Sequence, residues 1–382
     1  MTSIPFDFEK AKLMRLEFEN CLEMLRTADK NIYVFGAGVY AKSLTDYLNG
    51  KGITIEGYVV DDEYALKNPD KGFLALNEVL STGNMVLLYG IGGGFSDFYT
   101  NKVEALKEAV SKSSDSSFIV LNDYWFVDTG LITHEIIDEA FLKDNLEAFS
   151  ETYGMLEDEF SRKTMLAYLY ASVGHDATEL SQTWNDTEHD YNLDLLFDKC
   201  GDGLVVECGA FNGMSIAQMS DYTGNKYKML ALECDDINYE KCCETVSGYD
   251  NIQVIKKGVL DKQAWLKVVH SKDASYLVEL KEGEDTEGSV EVIDIDTLVG
   301  AEKVAVLTMD IEGSEMKALT GAKNVIAAGA NIAVRIYHKN SDLITIPQYI
   351  KSLNPNYKFY LRYNRGASQC RTGDETTLYA II

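Results

Sequence analysis

A chain of 382 residues is long enough for two or three domains, and with 46% apolar and 25% charged residues it has the composition of a globular protein that can bury real cores. With 61 acids against 35 bases the formal charge is −26, a surface that repels nucleic-acid phosphates and anionic headgroups, so neither nucleic acid nor a membrane is an expected partner. Four prolines against 29 glycines and no low-complexity tract leave little room for long disordered regions.

Residues 1–12 carry Asp7 and Glu9 and no apolar segment, unlike a signal peptide. No uncharged apolar run approaches the roughly 18 to 20 residues of a membrane helix, so a cytoplasmic location is expected. Seven cysteines without a C-x-x-C pair or zinc-type spacing read as reduced, mostly buried thiols.

In chain order, residues 1–130 alternate short apolar runs with amphipathic stretches: strands at 32–35, 55–60, 85–89 and 118–121, and a helix at 39–48. Residues 131–200 hold 16 acids and 4 bases, against 19 and 12 in 1–130 and 26 and 19 in 201–382, which makes them the most acidic part of the chain. They show no strand-like runs, and Leu166, Leu169, Tyr170 and Val173 repeat at helical spacing, so a helical connector is expected. Residues 201–382 return to alternation, with strands at 204–206, 229–232, 252–255, 304–309 and 332–337, an acidic surface loop at 281–289, and two final strands at 358–362 and 377–381 that suit a closing antiparallel hairpin. The fold class that follows is α/β: two doubly wound, Rossmann-like domains (1–130 and 201–382) joined by the connector 131–200.

Each α/β region carries a glycine turn after its first strand, and the two differ in charge. The first, Gly36-Ala37-Gly38-Val39-Tyr40-Ala41, has no carboxylate at the strand end, and Asp61 lies 23 residues beyond Gly38 at the end of the next strand. Free amides at the start of the helix suit an anion, and Asp61 suits ribose hydroxyls, so Gly36, Gly38 and Asp61 form a candidate site for NAD(P) or a nucleotide sugar. A turn that only packs the helix tightly on its sheet would look the same, and a second glycine run at 90–94, after the strand 85–89, could border the same crevice or equally be a flexible loop.

The later turn is Glu207-Cys208-Gly209-Ala210-Phe211-Asn212-Gly213, with Glu233 closing the next strand 26 residues on. A fixed negative charge at the strand end repels pyrophosphate and attracts an ammonium or sulfonium group, and Glu233 is placed for both hydroxyls of a ribose. A nucleoside that carries positive charge describes S-adenosylmethionine.

These residues, with Ala231-Leu232-Glu233-Cys234, with the string Leu307-Thr308-Met309-Asp310-Ile311-Glu312-Gly313-Ser314-Glu315 and with Ala318-Leu319-Thr320-Gly321-Ala322, resemble the FkbM family of S-adenosylmethionine-dependent methyltransferases over about residues 190–382. Ser161-Arg162-Lys163-Thr164 is similar to a subgroup of that family. The resemblance implies methyl transfer to a hydroxyl oxygen, with sugars and polyketides among the family's substrates. It also implies a cofactor site on Glu207, Gly209, Ala210, Phe211, Asn212, Gly213 and Glu233. Phe211 stands where many other methyltransferases have glycine.

A hydroxyl is a poor nucleophile until its proton leaves, and His338 and Asp310, both at strand ends on the carboxyl edge, are the candidate bases, with Glu312 beside them. The same three are of metal-ligand type, but nothing else in the sequence supports an ion, and no metal is expected. Arg335, Arg362, Arg365 and Arg371 would suit an acidic sugar or phosphate, although surface solvation is the commoner role of such residues. The expected function is an O-methyltransferase acting on a sugar, glycan or related small molecule. The competing readings are an oxidoreductase or epimerase centred on the first domain, for which no tyrosine–lysine dyad is apparent, and a binding protein without turnover.

Overall fold

The computed structural model describes residues 3–91, 97–121, 125, 135–185, 189–270, 275–280, 288–364 and 375–382. Its first sheet is formed by β1 (Asn31–Phe35), β2 (Gly57–Val60), β3 (Leu74–Ala75), β4 (Met85–Tyr89) and β5 (Ser117–Ile119). These run parallel in the order β3-β2-β1-β4-β5. Side chains that alternate along β1 and β4 fill two cores. Ile32, Val34, Val86 and Leu88 face the helix Val39–Gly50, while Phe35, Met85 and Leu87 face the other side with Leu106 and Val110.

A larger mixed sheet follows, built from β6 (Trp184–Asn185), β7 (Leu204–Cys208), β8 (Met229–Leu232) and β9 (Ile252–Ile255), and, after an insertion, from four further strands. The insertion is a small sheet of β10 (Gly258–Val259), β11 (Ala264–His270), β12 (Ser275–Glu279) and β13 (Ser289–Ile293), in the order β10-β13-β11-β12. The chain then re-enters the large sheet as β14 (Val304–Met309), β15 (Asn331–Arg335), β16 (Lys358–Asn364) and β17 (Thr376–Ile381), giving the order β6-β16-β17-β15-β14-β7-β8-β9. β7 and β14 are buried along their whole length, as near-continuous apolar runs in a parallel sheet covered on both faces should be. The closing hairpin is present: β17 lies antiparallel to both β15 and β16. The order reverses between β7 and β14, and this switch point is where an open α/β sheet leaves a crevice for ligands.

The α/β class holds for both sheets. Three local features differ from the sequence reading. Trp184–Asn185 form a short edge strand parallel to β16, although 131–200 show no strand-like run; two residues are too few for any periodicity to register. The small sheet β10–β13 is a feature the sequence reading does not contain; of the loop expected at 281–289, Ser289 is instead the first residue of β13, and 281–287 lie outside the described residues. A 20-residue helix, Phe8–Thr27, capped by Asp7 on the amides of Glu9 and Lys10, precedes β1. Its buried residues Ala11, Phe18, Leu22 and Leu25 serve two cores, so they do not form one stripe. Ala11 joins the cluster of the large sheet, and Phe18, Leu22 and Leu25 join that of the first sheet.

The helices Leu146–Met155 and Glu159–Gly174 pack on the large sheet through Phe149, Met165, Tyr168 and Leu169. Polar anchors fix them. Asp158 caps the second helix through Ser161 N (2.7 Å) and accepts from Arg362 Nη2 (2.6 Å); Ser161 Oγ accepts from Leu361 N (3.0 Å) and from Arg362 Nη1 (2.7 Å). Ser161 and Thr164 are fully buried, so the segment 161–164 docks this helix onto β16. Arg362→Ala removes the charged donor and leaves Ser161 Oγ and Asp158 short of partners, for an expected loss of about 1.5 to 3 kcal/mol in urea unfolding.

Candidate active site at the switch point

Glu207 is the penultimate residue of β7 and 1% exposed. Its Oε1 accepts from Ser215 Oγ at 2.5 Å, and its Oε2 has no hydrogen-bond partner among the described residues. Burial pushes this carboxyl up to about 8; Ser215 opposes the shift, Asp190 and Asp310 add to it, and Arg335 relieves part of it. No ion pair neutralises it among the described residues. Directly above, Gly209 has φ +82°, and a Cβ there would stand 1.8 Å from the carbonyl oxygen of Asp310. Only glycine lets the tips of β7 and β14 close over Glu207 in this way. Gly209 and Ala210 both donate to Leu232 O at 2.9 Å, and Gly213 opens the helix Met214–Tyr222, with Asn212 Oδ1 accepting from Met214 N at 3.1 Å.

Glu233, 8% exposed, follows β8 and braces the turn: Oε2 accepts from Phe211 N and Oε1 from Asp235 N, both at 2.8 Å. Phe211, at φ +48°, is 56% exposed. The structure therefore brings Glu207, Gly209, Ala210, Phe211, Asn212, Gly213 and Glu233 into one continuous edge.

Across the switch point, Asp310 follows β14 and His338 follows β15. His338 Nε2 stands 3.6 Å from both Asp310 Oδ1 and Glu312 Oε2, and Nδ1 lies 2.9 Å from Glu315 Oε1. Burial alone would lower the imidazole's pKa; the adjoining Glu315, then Asp310 and Glu312, reverse this and raise it. Glu315 is fully buried. Burial opposes its ionisation, but His338 and the amide of Ile311 hold it below its ordinary value. Behind them Asp342, 1% exposed, is pushed up to about 7 by burial and by Glu315, with the Lys339 amide as its donor.

Three participants carry no sequence role assigned to them. Glu315 sits in the quoted Asp310-to-Glu315 string, three residues after Glu312, and that spacing on a helix start is the signal that could have found it. Ser215 and Glu375 have none, because their roles depend on tertiary contacts. Arg335 and Arg362, for which surface solvation is the commoner expectation, are instead buried and held by the protein's own acids. Arg335 pairs with Glu375 (2.6 Å), donates to Thr377 Oγ1 (2.6 Å) and lies over the Tyr191 ring; Arg362 holds Asp158. Arg365 and Arg371 lie outside the described residues.

In the first domain Gly36, Gly38 and Asp61 also reach the carboxyl edge of their sheet, but the contacts there are internal. A Cβ on Gly36 (φ +124°) would meet Gly90 O at 2.6 Å, so this glycine is required by strand packing. Asp61 is paired with Lys102 at 2.5 Å. Gly38 caps its helix with open space around its Cα. Residues 92–94 of the second glycine run lie outside the described residues. The six described cysteines are free. Among the described residues no helix is long and apolar enough to cross a membrane.

The sequence model described as the methyltransferase FkbM domain matches residues 207–359, from the buried Glu207 through the Asp310 string and His338. The C-terminal half carries a methyltransferase FkbM domain. Of solved structures, methyltransferase FkbM from Methylobacillus flagellatus KT is similar over 97% of this chain and 97% of its own, at 19% identity and a TM-score of 0.67, a likeness of fold that extends through the first domain. An rRNA methylase from Streptococcus thermophilus is similar over 49% of this chain and 92% of its own, at 14% identity and a TM-score of 0.31. No curated protein matches the sequence. The nicotinamide and nucleotide-sugar readings of the first domain gain no support from these comparisons.

Placing the FkbM domain's Glu207 in a buried, unpaired position has a cost that depends on pH. Its folded pKa lies above its unfolded value of 4.5, so its contribution to stability is fully present below 4.5 and is lost progressively as pH rises towards about 8. Glu207→Gln should therefore raise the melting temperature of the cofactor-free protein at pH 8 and leave it nearly unchanged at pH 4.5, as differential scanning calorimetry would show.

Proposed function

We propose that this chain is an S-adenosylmethionine-dependent O-methyltransferase that acts on a hydroxyl of a sugar, glycan or related small molecule in the cytoplasm. In this reading 201–382 form the catalytic domain, 131–200 a helical connector and 1–130 a Rossmann-like companion domain. One observation carries the reading. A buried carboxyl with a free oxygen, Glu207, lies under the glycine turn, and an acid–imidazole pair, Asp310 and His338, stands on the neighbouring strands across the switch point. The first favours a cation, and the second can receive a proton.

Burial keeps Glu207 protonated near neutral pH while the site is empty. A sulfonium cation stabilises the ionised form, so cofactor binding expels one proton and gains a low-dielectric charge contact. Glu233 has an unused lone pair on each oxygen beyond the two amides it accepts, enough for two ribose hydroxyls. Transfer is then a direct displacement: the acceptor oxygen forms a bond to the methyl carbon, and the carbon–sulfur pair stays on sulfur as a neutral thioether. The hydroxyl proton leaves as that bond forms, with Asp310 and His338 as the groups that promote its loss. The protein's main task is to align oxygen, carbon and sulfur and to exclude water.

Calorimetric titration with S-adenosylmethionine should show affinity rising by up to about tenfold per pH unit towards pH 8, with the slope lost in Glu207→Gln. No binding heat from folded wild type, with Glu207→Lys behaving identically, would remove the reading. His338→Ala should lower turnover on a responsive acceptor by on the order of 100-fold or more while changing cofactor affinity little; unchanged turnover would move the proton-accepting role to Asp310.

A further inference from the structure

The side chain of His338 is 5% exposed, yet both oxygens facing its Nε2 stand off at 3.6 Å. That is too far for an N–H···O hydrogen bond, which closes to about 2.7 to 3.2 Å. Asp310 Oδ1 is buried without a hydrogen-bond partner among the described residues, and so is Glu315 Oε2. Unpartnered buried carboxylate oxygens are costly, and a proton on His338 satisfies neither of them at these distances.

The spacing fits a different occupant. Two ligand atoms bound at about 2.1 Å to a shared ion, subtending roughly 110 to 120°, lie about 3.4 to 3.6 Å apart. A ligating histidine commonly has its other ring nitrogen beside a carboxylate, and Nδ1 lies 2.9 Å from Oε1 of the fully buried Glu315, an ion-pair contact without hydrogen-bond alignment.

We propose that His338 Nε2, Asp310 Oδ1 and Glu312 Oε2 form a binding site for a divalent transition-metal ion, with Glu315 as the positioning residue that fixes the imidazole. Imidazole with two carboxylates suits Mn²⁺, Fe²⁺ or Zn²⁺ rather than Ca²⁺. Glu312 is 81% exposed on its side chain, so the ion has a solvent-facing side with open coordination positions. If the methyl-transfer reading holds, those positions take the acceptor hydroxyl. The ion lowers the hydroxyl's pKa, the proton leaves to solvent, and the metal-held oxygen attacks the methyl carbon while the carbon–sulfur pair departs with sulfur. His338 then serves as a ligand and not as the base.

The test is titration of the full chain with Mn²⁺, followed by electron paramagnetic resonance of the free ion, with S-adenosylmethionine binding measured in parallel by calorimetry. Mn²⁺ is the probe because it favours oxygen and imidazole over the chain's seven thiols. Saturable binding of one ion per chain is expected, lost in His338→Ala and weakened about tenfold or more in Glu312→Gln, an exposed substitution that leaves the core intact. Two results overturn the proposal: no saturable Mn²⁺ binding by wild type that still binds the cofactor, or binding that neither substitution changes. Saturable Mn²⁺ binding that His338→Ala abolishes, in a protein that does not bind the cofactor, supports the metal site and removes the methyl-transfer reading alone.

Discussion

Sealing a carboxyl group beneath the tips of two adjoining parallel strands is the constraint around which the C-terminal half is arranged. Water could solvate Glu207 cheaply; the closure of Gly209 over it, against the carbonyl of Asp310, denies it that water and supplies one hydroxyl in exchange. The empty protein answers by keeping the proton. A ligand that brings its own positive charge would offset that cost, whereas a phosphate would add to it.

The acid count at this edge extends the same logic. Asp190, Glu207, Asp310, Glu312, Glu315 and Glu375 gather near the carboxyl ends of β7, β14 and β15, and Arg335 pairs with two of them. It is nearly fully buried and spans Asp310 on one side and Glu375 on the other. This makes β17, which carries Thr377, part of the site's foundation, although it contributes no group to the crevice itself. The hairpin that closes the sheet therefore also anchors its charge.

The architecture was legible because buried parallel strands leave unbroken apolar runs: 204–208, 229–232 and 304–309 are strands for the same reason they are conspicuous. The candidate site was legible where its side chains stand at strand ends, as with Glu207, Glu233, Asp310 and His338. It was illegible where a residue's role depends on a partner far along the chain. Arg335 reads as a surface cation until Glu375 folds onto it, and Glu315 reads as a helix-start acid until His338 arrives. The small sheet β10–β13 was hidden for another reason. Trp265 on β11 is 41% exposed while its neighbour Leu266 is buried, so aromatic and aliphatic residues occupy both faces and the period-two contrast is weak. In the first domain the glycine fingerprint suits an anion or a tight packing turn alike, and a Cβ on Gly36 would meet the Gly90 carbonyl beside it. A tight turn and a binding turn share one spelling.

The helix Phe8–Thr27 begins against Gly174, where Met14 and Ala11 approach the glycine of the neighbouring helix, and ends among Leu22, Leu25, Ile32 and Val34. Asp7 N donates to Tyr170 Oη at one end, and Arg26 Nε donates to Lys51 O at the other. A single rigid rod is thus mortised into both halves of the molecule. A swing of either half would drag the rod's far end through a packed interior.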